Sequence, residues 1–130
     1  MPTLNEGLDI LRDKAAEARG LELLVLHGSR ARGEARTDSD WDLAFLASPA
    51  FDPDDFLTEL VLALGTDRID LSRLDTAGGL FRYRVAGDGQ VVFENEDGRF
   101  ERFWTSAVTF WCEAEPILRP AYRARLEEYR

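Results

Sequence analysis

The chain has 130 residues, 45% of them apolar, a net charge of −9 and one cysteine, Cys112. That size and apolar share suit one compact domain with its own core. No apolar run approaches the ~20 residues that a membrane-crossing helix needs. The acidic balance argues against long DNA or RNA as a ligand, because such binding relies on basic surface to displace counterions. A lone cysteine excludes an internal disulfide, and Cys112, in an aromatic stretch, is read as a small buried hydrophobe. No basic segment leads into an apolar one in the first eight residues, so no secretory signal is expected, and a cytoplasmic location is the economical expectation.

In chain order, Leu8, Leu11, Ala15 and Ala16 recur with helical spacing and predict a helix over Asn5 to Arg19, stopped by Gly20. Leu21 to Leu26 reads as a buried strand, Gly28 to Gly33 as a turn with a short helix, and Trp41 to Ala47 as a second strand. Asp52-Pro53 predicts an N-cap followed by proline in the first turn of a helix to Leu64, with Gly65 as its stop. Arg68 to Leu74 reads as a third strand. Gly78-Gly79 opens a short helical piece through Tyr83, Gly87 to Gly89 turns, and Gln90 to Glu94 is a fourth strand. From Asp97 onward the apolar spacing is helical, with rings from Phe100 to Trp111 forming core first and a partner-facing surface second. Pro116 and Pro120 are expected to break or kink that helix before a last segment, Ala121 to Tyr129. The order α-β-α-β-α-β-α-β-α predicts an α/β (α+β) fold, a small mixed sheet backed by helices. Residues 1–130 are read as a single domain whose C-terminal helical segment covers about 97–130.

Gly28-Ser29 is followed by ten residues and then Asp40-Trp41-Asp42. Side chains two apart on a strand share a face, so Asp40 and Asp42 are expected to project together, with Trp41 pointing the other way into the core. Carboxylates that close raise one another's pKa unless a cation lies between them, and magnesium takes oxygen ligands from one or two carboxylates plus phosphates. Gly28 permits close backbone approach to a ligand. Ser29 offers a hydroxyl and a backbone N–H at a helix start, which favours phosphate. Arg30, Arg32 and Arg36 lie between the two halves. Each has a guanidinium fork suited to phosphate, and each reads equally as a solvated loop arginine. His27 is expected to be a strand-end histidine satisfied by backbone. Asp70 lies mid-strand among apolar neighbours, where an ionised group is costly unless paired or metal-bound. Its carboxylate completes a cluster of three if that strand lies beside the one bearing Asp42.

The glycine–serine turn, the Asp-x-Asp pair and the flanking strands resemble the minimal nucleotidyltransferases (MNT) of the DNA polymerase β-like superfamily. The run Leu80-Phe81-Arg82-Tyr83-Arg84-Val85, followed by Gly89 to Phe93, is similar to a later, less specific region of that family. The resemblance implies a polymerase β-like nucleotidyltransferase fold. It implies that Gly28 and Ser29 hold a nucleotide triphosphate, with Arg30, Arg32 and Arg36 as further nucleotide-binding candidates. It assigns Asp40, Asp42 and Asp70 as catalytic ligands of magnesium, with two ions expected, Asp70 also assisting deprotonation of the acceptor. Because the chain is too short for large accessory domains, it looks like an MNT-type antitoxin paired with a HEPN-domain ribonuclease toxin. Such antitoxins use ATP and magnesium to transfer AMP to a tyrosine of the toxin. The acidic surface fits a protein acceptor with a basic, RNA-cleaving face. The alternatives are a small-molecule adenylyltransferase, acting for instance on an aminoglycoside, and neutralisation by binding alone.

Overall fold

The computed structural model describes residues 2–36 and 39–128, with side chains as far as Pro116. Nine elements follow in order: α1 (Leu4–Glu17), β1 (Leu21–His27), α2 (Gly28–Ala31), β2 (Trp41–Ala47), α3 (Pro53–Leu64), β3 (Ile69–Arg73), α4 (Gly79–Asp88), β4 (Gln90–Glu94) and α5 (Arg99–Glu128). The expected alternation is therefore observed, and the sheet is mixed. Its strand order is β3-β2-β1-β4. β1 pairs antiparallel with β2 and β4, whereas β2 and β3 run parallel.

Strand alternation divides the core between two faces. Leu24, Leu26, Trp41, Leu43 and Phe45 join Leu8 and Leu11 of α1 and Phe56 and Leu60 of α3. Leu23, Val25, Ala44 and Leu46 join Val85 and Ala86 of α4 and Phe103 and Ala107 of α5. Trp41 is fully buried, as its place between two aspartates predicts. α1 lies close against it, since a β-carbon on Gly7 would collide with the indole.

Local caps fix where the helices begin. Thr3 accepts from the Glu6 N–H at 3.2 Å, and Asp52 accepts from the N–H groups of Asp54 and Asp55 at 3.1 and 3.2 Å. Each such cap contributes about 1 kcal/mol. Glu94, at the end of β4, accepts from the Phe100 N–H at 2.7 Å and sets the start of α5.

Three expectations are corrected. α4 continues past Tyr83 to Asp88, so Gly87 and Asp88 are helical rather than turn; the burial of Val85 and Ala86 against the sheet outweighs the poor helix propensity of Gly87. α5 is one helix across Pro116 and Pro120, so neither proline ends it; a proline removes one intrahelical hydrogen bond, and the turns on either side continue. Tyr129 lies outside the described residues. Cys112 is exposed rather than buried, because the inward positions of α5 are Phe103 and Ala107 and Cys112 is out of step with them. Among the described residues no helix is long and apolar enough to cross a membrane.

Candidate active site

The ladders place three polar side chains in a row. His27 is paired with Asp42 across β1 and β2, and Asp42 with Asp70 across β2 and β3. Adjacent strands lie ~4.8 Å apart, so residues on one rung share a face. Parity with Val25 and Ala44 puts this face on the side of α4 and α5. The row sits where β1 ends and the chain turns sharply into α2. Gly28 makes that turn at φ +73°, and a β-carbon there would strike the Asp42 carboxylate. The turn and the acid are thus built against each other.

A cleft of about 720 Å³ opens beside the row, lined by His27, Gly28, Arg32 and Asp42 on one side and by Phe81, Arg84 and Asp88 among others on the α4 side. His27 meets Phe81 edge-on, with ring centroids 5.4 Å apart. A groove of about 780 Å³ bordered by Arg102, Thr105, Thr109 and Phe110 includes none of the polar row.

The electrostatics follow from burial and from like charges. Burial pushes the Asp42 carboxyl above its ordinary pKa, nearby Asp70 and Asp40 push the same way, and His27 and Arg32 oppose them. Burial lowers the His27 pKa, against the pull of Asp42 and Asp70. A mainly neutral imidazole results. Its Nε2 is buried with no hydrogen-bond partner among the described residues, where backbone satisfaction was expected.

The structure treats the eight expected site residues differently. Gly28, Arg32 and Asp42 line the cleft. Ser29 follows Gly28 in the first turn of α2 and is half-buried. Asp40 lies one residue ahead of β2, exposed, with its Oδ1 3.6 Å from Arg68 Nε. Asp70 is on the same rung as Asp42 but is exposed and accepts from the Ser72 hydroxyl at 3.0 Å. The expectation that Asp70 is costly to ionise is therefore corrected, because β3 is an outer strand and leaves this face to solvent. Arg30 is buried; it donates to the Ser39 carbonyl through Nε at 3.2 Å and Nη2 at 2.7 Å, and lies 4.1 Å over the Trp41 ring. Those contacts commit the guanidinium to the loop that carries Asp40, and Arg30 does not line the cleft. Arg36 is exposed in the same loop, its backbone N–H donating to the Ser39 hydroxyl at 2.7 Å.

Phe81, Arg84 and Asp88 were not assigned to the site from sequence. Arg84 lies in the run Leu80 to Val85, but a helix ending at Tyr83 leaves Arg84 and Asp88 off it, whereas α4 continues to Asp88.

Among the described residues no three His, Cys, Asp or Glu side chains converge to enclose a metal. Asp42 and Asp70 nevertheless form an all-oxygen pair, and magnesium uses one or two carboxylates together with phosphate oxygens. Close carboxylates that raise a pKa are relieved by a cation. The buried, unpartnered Nε2 of His27 and the bare Cα of Gly28 fit a polar ligand approaching the backbone. The pair and the turn therefore fit the group.

Residues 10–98 match the family described as Polymerase beta, Nucleotidyltransferase. The chain is 30% identical over 116 residues to the protein adenylyltransferase MntA of Aphanizomenon flos-aquae, covering 79% of this chain and 77% of that one. Among solved structures it resembles a toxin–antitoxin crystallised with AMP-PNP, with TM-score 0.72, 23% identity and coverage of 96% and 99% of the two chains. It also resembles a chain in the complex of a tri-AMPylated Shewanella oneidensis HEPN toxin with an MNT antitoxin, with TM-score 0.64, 21% identity and coverage of 95% of each. The likeness to these structures shows the fold. With the family match spanning most of its length, this chain belongs to the polymerase beta nucleotidyltransferases and is an enzyme of that class.

Proposed function

We propose that this chain is the antitoxin of a toxin–antitoxin pair and transfers AMP from ATP to a tyrosine hydroxyl of a HEPN-domain ribonuclease, silencing it. The observation that carries the reading is the rung pairing of Asp42 with Asp70 beside the Gly28 turn, at the edge of a cleft large enough for a nucleotide. The adenylyltransferase named above supports AMP as the transferred group. The toxin complexes of the same fold support a HEPN-domain partner.

In the transfer, the acceptor oxygen bonds to the α-phosphorus of ATP, the bond from that phosphorus to the bridging oxygen breaks, and pyrophosphate leaves with the electron pair. Asp42 and Asp70 would hold magnesium, joined by Asp40 if its exposed side chain leaves Arg68. Bound there, the ion supplies charge neutralisation on the phosphates and a lowered pKa for the attacking hydroxyl. The backbone N–H groups at Gly28 and Ser29 would cradle the triphosphate, and Arg32 would donate to its oxygens. Asp70, exposed on the rung beside Asp42, would accept the proton of the incoming hydroxyl. Arg30 would act at a distance, by fixing the Asp40 loop.

The test is intact-mass spectrometry. Wild-type protein, ATP, magnesium and a cognate HEPN-domain protein should give acceptor carrying one or more AMP groups, mapped to tyrosine. An unmodified acceptor would remove the transfer claim. An Asp42→Asn chain that still neutralises the toxin in cells would assign neutralisation to binding.

A further inference from the structure

Beside the cleft, the structure exposes large rings that the transfer chemistry does not use. Tyr83 of α4 stacks on Trp111 of α5, with centroids 5.1 Å apart and planes at 18°. Trp104 is 44% exposed and Tyr83 36%. Clustered apolar exposure on this scale marks an interaction surface, and Trp and Tyr dominate the residues that carry binding energy. Tyr83, Trp104 and Val108 border a groove of about 360 Å³ between α4 and α5, and its other walls are Arg84, Gly87 and Asp88. Arg84 and Asp88 also line the nucleotide cleft. The groove and the cleft therefore share a wall. A polypeptide seated on Trp104 and Tyr83 would border Arg84 and Asp88, which also line the cleft that holds Asp42.

We propose that this α4–α5 groove is the docking surface for the acceptor protein, holding the polypeptide around the modified hydroxyl while the cleft holds the nucleotide. The proposal rests on the acceptor being a protein, as in the function proposed above. Nucleic acid is disfavoured because the chain's net charge is −9. A second copy of this chain is disfavoured because it would cover the wall that the acceptor must cross.

The variant is Trp104→Ala, an exposed position whose loss leaves the core intact. Leu62→Ala is the control, since Leu62 is equally apolar, 78% exposed and on α3, away from the groove. The probes are a cognate HEPN-domain protein, with affinity read by calorimetry, and a fluorescent ATP analogue. Trp104→Ala should weaken acceptor binding about ten-fold or more, the scale of a hot-spot ring, and raise the KM for acceptor while leaving analogue binding unchanged. Leu62→Ala should leave both unchanged. Acceptor binding within about two-fold of wild type in Trp104→Ala overturns the proposal. So does a wild-type chain that binds no acceptor, or one that dimerises alone through Trp104. If wild-type protein binds the acceptor in a Trp104-dependent way but transfers nothing, docking stands and the transfer reading fails.

Discussion

The carboxylate of Asp42 occupies the space that a β-carbon on Gly28 would need, and Gly28 holds φ at +73°. Gly28→Ala therefore meets two penalties, left-handed backbone and steric overlap with the acid. Each costs about 1–3 kcal/mol. Urea denaturation should show a loss of about 2–6 kcal/mol, and AMP transfer should be abolished because the acid is displaced. Wild-type stability in this variant would show that the turn is not built as described.

Asp70→Asn and Asp42→Asn should separate chemistry from stability. Asp70 is exposed, so its replacement should change stability by no more than ~0.5 kcal/mol. Transfer should fall about 100-fold or more, the scale of losing one charge-stabilising group. Asp42 carries a raised pKa, burial being the main cause. Its ionised form disfavours the folded state, so stability falls as pH rises from the ordinary carboxylate value through the folded value. Ligand-free Asp42→Asn should therefore melt at or above the wild-type temperature at pH 7 while losing transfer. A marked drop in its melting temperature would contradict the burial argument.

His27 gives the opposite pH limb. Burial lowers its pKa below 6.5 in the folded protein. The unfolded chain then takes up the proton first as pH falls. The stability owed to neutral His27 is complete above about pH 6.5 and drains below it until the folded value is passed. His27→Gln should flatten this limb in melting temperatures recorded between pH 5 and 8. An unchanged slope would assign the limb to other groups.

Gly7 and Arg30 test the scaffold. Alanine for glycine within a helix ordinarily gains about 1 kcal/mol. At Gly7 the new β-carbon would collide with Trp41, and overpacking of about 1–3 kcal/mol outweighs the gain. Gly7→Ala should thus destabilise the chain. Arg30→Ala removes a buried fork from the Ser39 carbonyl and the Trp41 face. It should cost about 2–3 kcal/mol. Arg30→Lys should recover only part of this, because lysine lacks the fork. Both are read by chemical denaturation.

β2, β4 and α3 were legible to the residue, because alternation, the Asp52 cap with Pro53, and the bounding Gly65 are local signals. The pairing of β2 with β3 was not, since a sequence shows an acid on a strand but not which strand lies beside it. The exposure of Asp70 was hidden for the same reason: edge position is a property of the whole sheet. Arg30 and Arg32 are close in sequence, yet one is buried under a loop and the other faces the cleft. That division depends on the indole of Trp41, which only the folded chain brings beneath Arg30. The places of Arg84 and Asp88 on the cleft were hidden because helix length is set by packing against α5 and the sheet rather than by propensity.

β3 borders the sheet, hydrogen-bonded to a neighbour on one side only, and Asp70 is anchored there. A cation shared by Asp70 and Asp42 would rivet that outer ribbon to the interior. Filling the site would then also tighten one edge of the sheet, and the loaded protein would fray less at β3 than the empty one.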